Sequence, residues 1–205
     1  MLRLYIIRHG KTLFNEKHLI QGWCDAPLTK EGVNQAKALS KGLMNIPFEA
    51  CFSSPLLRAV NTSKEIIKDR NIPLYINDNL MEFNYGHLEG DNEEKLESIY
   101  PIFFGENVDG FDGESYEELT QRILQGLEEI YHQFPDGNVL VVSHAGAITC
   151  LLKKISILDE NELLKGHNAN VDNGSVTILE RHFGWKIMDI NNTGFLKQNH
   201  ILHIQ

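Results

Sequence analysis

Short apolar runs alternate along this chain with longer segments whose apolar positions recur every three or four residues. Leu2 to Ile7, broken only by Arg3, is rich in strand-forming residues and predicts a buried β-strand. Thr29 reads as the N-cap of a helix carrying Val33, Ala36, Leu39 and Leu43 on one face. Ala50-Cys51-Phe52-Ser53 predicts a second strand. Ser54 then reads as a cap with Pro55 at the first helical position, where a missing N–H costs nothing, and that helix should run towards Lys68. Leu74-Tyr75-Ile76 is a short third strand. Ser115 and Glu118 form a capping box ahead of Leu119, Ile123, Leu127 and Ile130. Val139 to Val142 is the strongest strand signal, and from Gly146 onward Ile148, Leu151, Leu152 and Ile155 return to helical spacing. Val176 to Leu179 and Trp185 to Ile190 read as a hairpin turned at His182-Phe183-Gly184. This alternation predicts an α/β fold, three layers in the order α/β/α around a mostly parallel central sheet.

Residues 83 to 114 break the pattern, with weak periodicity, several glycines and many acids. They read as a lid or insertion within a single domain spanning residues 1 to 205. No internal repeat or low-complexity tract interrupts the rest.

Composition narrows the classes. The hydrophobic share of 42% and charged share of 23% are those of a globular protein. A formal charge of -9 with no Lys/Arg run argues against nucleic-acid binding, although a local cationic pocket remains compatible with an anionic small molecule. The three cysteines, Cys24, Cys51 and Cys150, form no Cys-x-x-Cys pair, which argues against a disulfide framework or zinc site and fits a reducing, cytoplasmic setting. The N-terminal apolar run is too short for a signal peptide, and the longest apolar stretch falls short of the ~20 residues of a membrane helix.

In a parallel sheet, ligands bind at the carboxyl ends of the strands. Three polar clusters fall there: Arg8-His9-Gly10, Ser53-Ser54-Pro55-Leu56-Leu57-Arg58 and Ser143-His144-Ala145-Gly146. Two Arg and two His at one sheet edge suit a phosphomonoester, which carries roughly -1.5 to -2 charge. A guanidinium fork holds two phosphate oxygens at once, so Arg8 and Arg58 can clamp the group while His144 donates a further bond. A neutral imidazole can attack phosphorus, and His9, between Arg8 and Gly10, is the better placed. Its Nδ1–H is expected on a backbone carbonyl, with Nε2 free. A leaving alkoxide needs an acid, and a Glu near bound phosphate should have a raised pKa. Glu82 is the choice, although position alone does not separate it from Glu89 or the other acids nearby. Lys11 can be drawn in the pocket or in solvent. Trp23, Phe83, Tyr85, Phe103, Phe104 and Phe111 can be drawn as an apolar wall for the substrate's other end, or as lid packing. The remaining histidines show no metal-ligand spacing.

The motifs resemble those of the histidine phosphatase superfamily, in its phosphoglycerate-mutase-like branch. Arg8-His9-Gly10-Lys11-Thr12 with Asn15 matches the nucleophile motif. Gln21-Gly22, Asp25-Ala26-Pro27-Leu28-Thr29 and Gly32 match the stretch after it, and Ser53 to Ala59 the second-arginine motif. Leu80-Met81-Glu82 with Gly86, Glu89 and Gly90 resembles the acid motif, and Val142 to Gly146 the second-histidine motif. The resemblance covers nearly the whole chain. It implies a phosphoglycerate-mutase-like fold, a phosphohistidine at His9, a phosphate pocket of Arg8, Arg58 and His144, and Glu82 as proton donor. It also places Asn15, Gln21, Gly22 and Ala145 near phosphate or substrate. It implies a small phosphomonoester as substrate and no metal or organic cofactor. A homodimer through an edge strand or the hairpin is compatible with it.

Within that family, cofactor-dependent mutases are longer and carry a basic insertion. Here residues 83 to 114 hold nine acids against one lysine, Lys95, a cover that repels a bisphosphorylated acid. Hydrolysis is therefore preferred over mutase activity. A non-catalytic phosphate-binding module is a third reading, disfavoured because both the candidate nucleophile and the candidate acid are present.

Overall fold

The structure is a computed structural model that describes residues 1–104, 106, 108–158 and 171–197. Its strands are β1 (Leu2–Arg8), β2 (Ala50–Ser53), β3 (Leu74–Ile76), β4 (Gly137–Ser143), β5 (Val176–Arg181) and β6 (Trp185–Asn192). Its α-helices are α1 (Leu13–Glu16), α2 (Lys30–Gly42), α3 (Leu57–Ile67), α4 (Tyr116–Gln133) and α5 (Ala145–Leu158). The strands form one sheet in the order β3-β2-β4-β1-β5-β6. The four on the β3 side are parallel, and β5 and β6 close the other side as an antiparallel hairpin.

Strand side chains alternate between faces, and both faces are covered. Leu4, Ile6, Phe52, Val139 and Val141 pack with α4 and α5 through Leu119, Ile123, Leu127, Ile148 and Leu152. Tyr5, Ile7, Cys51, Leu140 and Val142 pack with α2 and α3 through Ala36, Leu39, Ala59 and Ile66. This is the α/β/α arrangement that the periodicity predicts. It also explains why β1 and β4 read as near-continuous apolar runs instead of alternating ones.

The expected caps hold at two helices. Thr29 accepts from Gly32 N, and Ser115 and Glu118 form their reciprocal box. The start of α3 differs from expectation. It begins at Leu57 rather than Pro55, and Leu56 is its uncapped N-terminal residue. Asp25, from a distant loop, supplies the missing acceptor by taking the Leu57 N–H at 2.9 Å. Ser54 Oγ still accepts from Leu56 N at 3.3 Å but does not reach the N–H of Leu57.

Residues 83 to 114 hold a 3-10 turn at Gly86–Leu88 and a longer 3-10 segment over Glu93–Phe104. Ile20 N donates to Asp91 O and Gly90 N to Ile20 O, both at 2.8 Å, and Leu88, Ile99 and Ile102 are buried in the core. Among the described residues, no helix is long and apolar enough to cross a membrane.

Candidate active site

The strands β1 and β4 are neighbours, yet the helices that follow them lie on opposite faces, α2 on one and α5 on the other. The chain therefore leaves the two carboxyl ends in opposite directions and opens a crevice between them. Arg8 lies opposite Ser143 in the ladder, so the next residues, His9 and His144, emerge side by side. Their rings are 5.1 Å apart. Ser54 N bonds to Val142 O at 3.0 Å and brings the end of β2 to the same place.

Hydrogen-bond chemistry sets the state of His9. Its Nδ1 is 2.8 Å from Gly10 O, and a carbonyl only accepts, so Nδ1 carries the proton. Arg58 Nε, which only donates, lies 3.3 Å from Nε2, so Nε2 presents a lone pair. Burial, then the charges of Arg58 and Arg8, push the His9 pKa well below the usual histidine range, against the opposing Gly10 carbonyl. The backbone is equally fixed. A Cβ on Gly10 would lie 2.5 Å from Gly32 O, so only glycine allows the chain to pass α2 this closely. Gly10 N donates to Thr62 Oγ1 at 3.0 Å, and Asn173 Nδ2 donates to His9 O at 3.0 Å.

Arg58 is 1% exposed and sits in the first turn of α3, where a cation opposes the helix dipole. Its surroundings compensate. The guanidinium donates to Gly22 O at 2.6 Å, Cys24 O at 2.8 Å and Asp25 Oδ1 at 3.3 Å. Gly22 adopts φ +52°, and Glu89 braces the same turn by accepting from Trp23 N and Cys24 N. Arg8 donates through Nη1 to Val171 O at 2.6 Å. Burial lowers the pKa of both arginines, and the Glu82 charge opposes the shift in each.

His144 Nε2 is 2.7 Å from Ser54 Oγ. That oxygen also accepts from Leu56 N at 3.3 Å; when its own proton goes to Nε2, Nδ1 is left as an N–H. His144 Nδ1 and Arg8 Nε are buried and find no hydrogen-bond partner among the described residues. Buried polar atoms are almost always satisfied, so these two, like the equally unpartnered Ser175 Oγ and Arg181 Nε, have hydrogen-bonding capacity left over.

Glu82 is buried at the N-terminus of α5. Its Oε1 accepts from Phe83 N and Ala147 N, both at 2.8 Å, and its Oε2 from Gly146 N at 3.1 Å. A Cβ on Gly146 would lie 2.7 Å from Oε1, which is why glycine follows His144 and Ala145 here.

Residues 4–193 match the sequence model of the histidine phosphatase superfamily, branch 1. The chain belongs to this family. It is 31% identical over 199 residues to an uncharacterized phosphatase, PhoE, of Bacillus subtilis strain 168, covering 96% of this chain and 100% of that one. It is 30% identical over 206 residues to a 2,3-bisphosphoglycerate-dependent phosphoglycerate mutase of Cytophaga hutchinsonii, covering 95% and 93%. The fold matches a phosphoserine phosphatase from Entamoeba histolytica, solved in complex with 3-phosphoglyceric acid. The TM-score is 0.80 at 27% identity, covering 96% of this chain and 100% of that one. Relatives of this histidine phosphatase superfamily member thus include phosphatases and mutases, and the phosphatase-named ones support phosphatase activity.

Other sequence expectations fall as follows. Asn15 Oδ1 accepts from Thr12 N and Asn173 Nδ2, and Gln21 Oε1 accepts from Thr12 Oγ1 at 2.9 Å. Ala145 opens α5 directly after His144. Lys11 lies in solvent, paired with Glu31 at 2.8 Å. The apolar wall does not form as drawn. Phe83, Tyr85 and Phe111 pack into the core, because Phe83 stacks between the other two, whereas Trp23 stays exposed and donates from Nε1 to Glu82 O. The side chains of Phe103 and Phe104, and histidines 167, 200 and 203, lie outside the described residues; His18, His87, His132 and His182 are exposed. Among the described residues no group of three or more His, Cys, Asp or Glu could hold a metal. Thr62, Asn173 and Arg122 brace the site without any sequence signal, since each acts on backbone groups far away in the chain.

Burial also depresses the pKa of His144 well below its usual range, helped by Arg58 and His9. Both buried histidines are therefore neutral when folded, while an unfolded chain protonates them below about pH 6.5. Stability should be insensitive to these groups above that value. It should fall below it by up to about 1.4 kcal/mol per pH unit per histidine, until the folded pKa values are reached. Urea midpoints on either side of pH ~6.5 check this. His144→Asn should show a shallower loss than wild type.

Proposed function

We propose that this chain hydrolyses a small phosphomonoester through a phosphohistidine at His9. What supports the reading most is His9 Nε2, a lone pair held beside Arg58 Nε on a buried ring 5.1 Å from that of His144. The Nε2 lone pair attacks phosphorus and forms a P–N bond as the P–O bond to the leaving group breaks. Arg8, Arg58 and His144 Nδ1–H take the charge that spreads over the phosphoryl oxygens. Arg58 Nε needs only to turn from Nε2 to an oxygen on the phosphorus that Nε2 attacks. Glu82 gives its proton to the departing alkoxide, then takes one from the water that breaks the P–N bond. That water releases phosphate and restores His9.

The oxygens of Asn15 and Gln21 are engaged by Thr12, so their NH₂ groups are left to reach the anion. Gly22 contributes through the Arg58 it holds, and Ala145 offers the first N–H of α5. Hydrolysis is preferred over phosphoglycerate mutase activity because residues 83 to 114 carry nine acids against Lys95.

A panel of phosphomonoesters without added metal tests this, with 3-phosphoglycerate included and its isomerisation followed in the presence of the bisphosphate. Phosphate release and a phosphoryl adduct on the His9 peptide of rapidly quenched enzyme are the expected results. Isomerisation without phosphate release would replace hydrolase by mutase. No turnover on any substrate would leave a binding module.

A further inference from the structure

We propose that Arg122, with Glu114, is a positioning residue that holds the Glu82 turn at the angle its acid role requires, an inference that rests on the role given to Glu82 above. Four successive carbonyls, those of Asn79, Leu80, Met81 and Glu82, lead from the 3-10 turn Asp78–Leu80 into the site. They lie outside any sheet ladder and must find donors elsewhere. Arg122, projecting from α4, supplies most of them. Its Nη1 donates to Asn79 O at 3.0 Å and Met81 O at 2.9 Å, and its Nη2 to Glu82 O at 2.7 Å. Its remaining N–H groups grip Glu114 in a two-pronged pair, from Nε and, at 2.8 Å, from Nη2. All five guanidinium donors are thus committed.

Two further side chains complete the cradle. Ser143 Oγ, beside His144, donates to Leu80 O at 2.8 Å, and Trp23 Nε1, beside Gly22, donates to Glu82 O at 2.8 Å. Glu82 is therefore pinned at both ends, its carboxylate by the first amides of α5 and its own carbonyl by Arg122 and Trp23. Water would satisfy these carbonyls equally well if solvation were all that mattered. A planar fork that meets three of them at fixed angles also sets direction, and lysine, with three donors on one point charge, cannot reproduce it. Glu114 balances the guanidinium charge, which otherwise acts directly on the site; Arg122 already contributes to the depressed His144 pKa.

The test compares wild type, Arg122→Lys, Glu114→Gln and Glu82→Gln on an alkyl phosphate and on p-nitrophenyl phosphate, whose leaving group departs without a proton. Misplacing the acid should lower kcat for the alkyl phosphate by about 10- to 100-fold in Arg122→Lys while sparing the nitrophenyl ester. Inhibition by inorganic phosphate should be unchanged, because Arg8, Arg58 and His144 are not touched. Glu114→Gln, which keeps the side chain's size, should show the same selectivity at smaller amplitude and serves if Arg122→Lys fails to fold. Equal losses on both substrates, or none, in the Arg122 and Glu114 variants while Glu82→Gln remains leaving-group selective would overturn the positioning role alone. A non-selective Glu82→Gln would remove the acid role itself, and this inference with it.

Discussion

His9→Ala should lose phosphate release by on the order of 10⁴- to 10⁶-fold, the scale seen when an activated nucleophile is removed. Among the described residues, the neighbours in the crevice are otherwise engaged. His144 Nε2 is held by Ser54 Oγ, and with the serine proton on Nε2 its Nδ1 is a donor, not a lone pair. Ser54 Oγ is tied to His144 and Leu56 N, and Glu82 has amides on both oxygens. Binding should survive the substitution, since Arg8, Arg58 and His144 remain and Arg58 Nε loses its competing acceptor. Inorganic phosphate should therefore still raise the melting temperature of His9→Ala, which separates loss of chemistry from loss of fold. The phosphoryl adduct should vanish along with turnover. Retention of full turnover would show that phosphorus is attacked by something else, water included, and would end the phosphohistidine reading.

The parts of this site legible in the sequence are those that local rules determine. β1 and β4 are apolar on both faces, so their carboxyl ends, and the residues just beyond them, could be located from composition alone. That placed Arg8, His9 and His144 on one edge. The start of α3 was not legible, because its acceptor, Asp25, comes from 32 residues earlier, and a serine before a proline imitates a local cap. Aromatic residues next to Glu82 were equally ambiguous. Whether Phe83 faces a crevice or the core depends on which way the turn rolls, and three partners outside that turn, Arg122, Ser143 and Trp23, decide it. An arginine on an amphipathic helix reads as a solvated residue until the carbonyls it meets are known. Glu82 and Glu89 are alike by composition and separate only by place: one lies on the amides of α5, the other on those of Trp23 and Cys24.

Glu82→Gln should cost about 10²- to 10⁴-fold on alkyl phosphates, the range for losing a positioned general acid, and much less on p-nitrophenyl phosphate. The amide keeps the carboxylate's shape, and its oxygen can still accept from Phe83 N and Ala147 N. Its NH₂ then faces the Gly146 N–H, donor against donor, where Oε2 now accepts at 3.1 Å. A modest loss of stability should accompany the loss of activity, but stability affects both substrates equally and cannot create selectivity between them. The pH dependence of kcat/KM offers a second readout. Burial and two arginines keep His9 neutral well below its usual range, so the acidic side of the profile should show no loss centred near pH ~6.5 from the nucleophile. Equal losses on the alkyl and nitrophenyl esters in Glu82→Gln would place the acid elsewhere, and Glu89, which accepts from Trp23 N and Cys24 N beside Gly22, would be the residue to replace next.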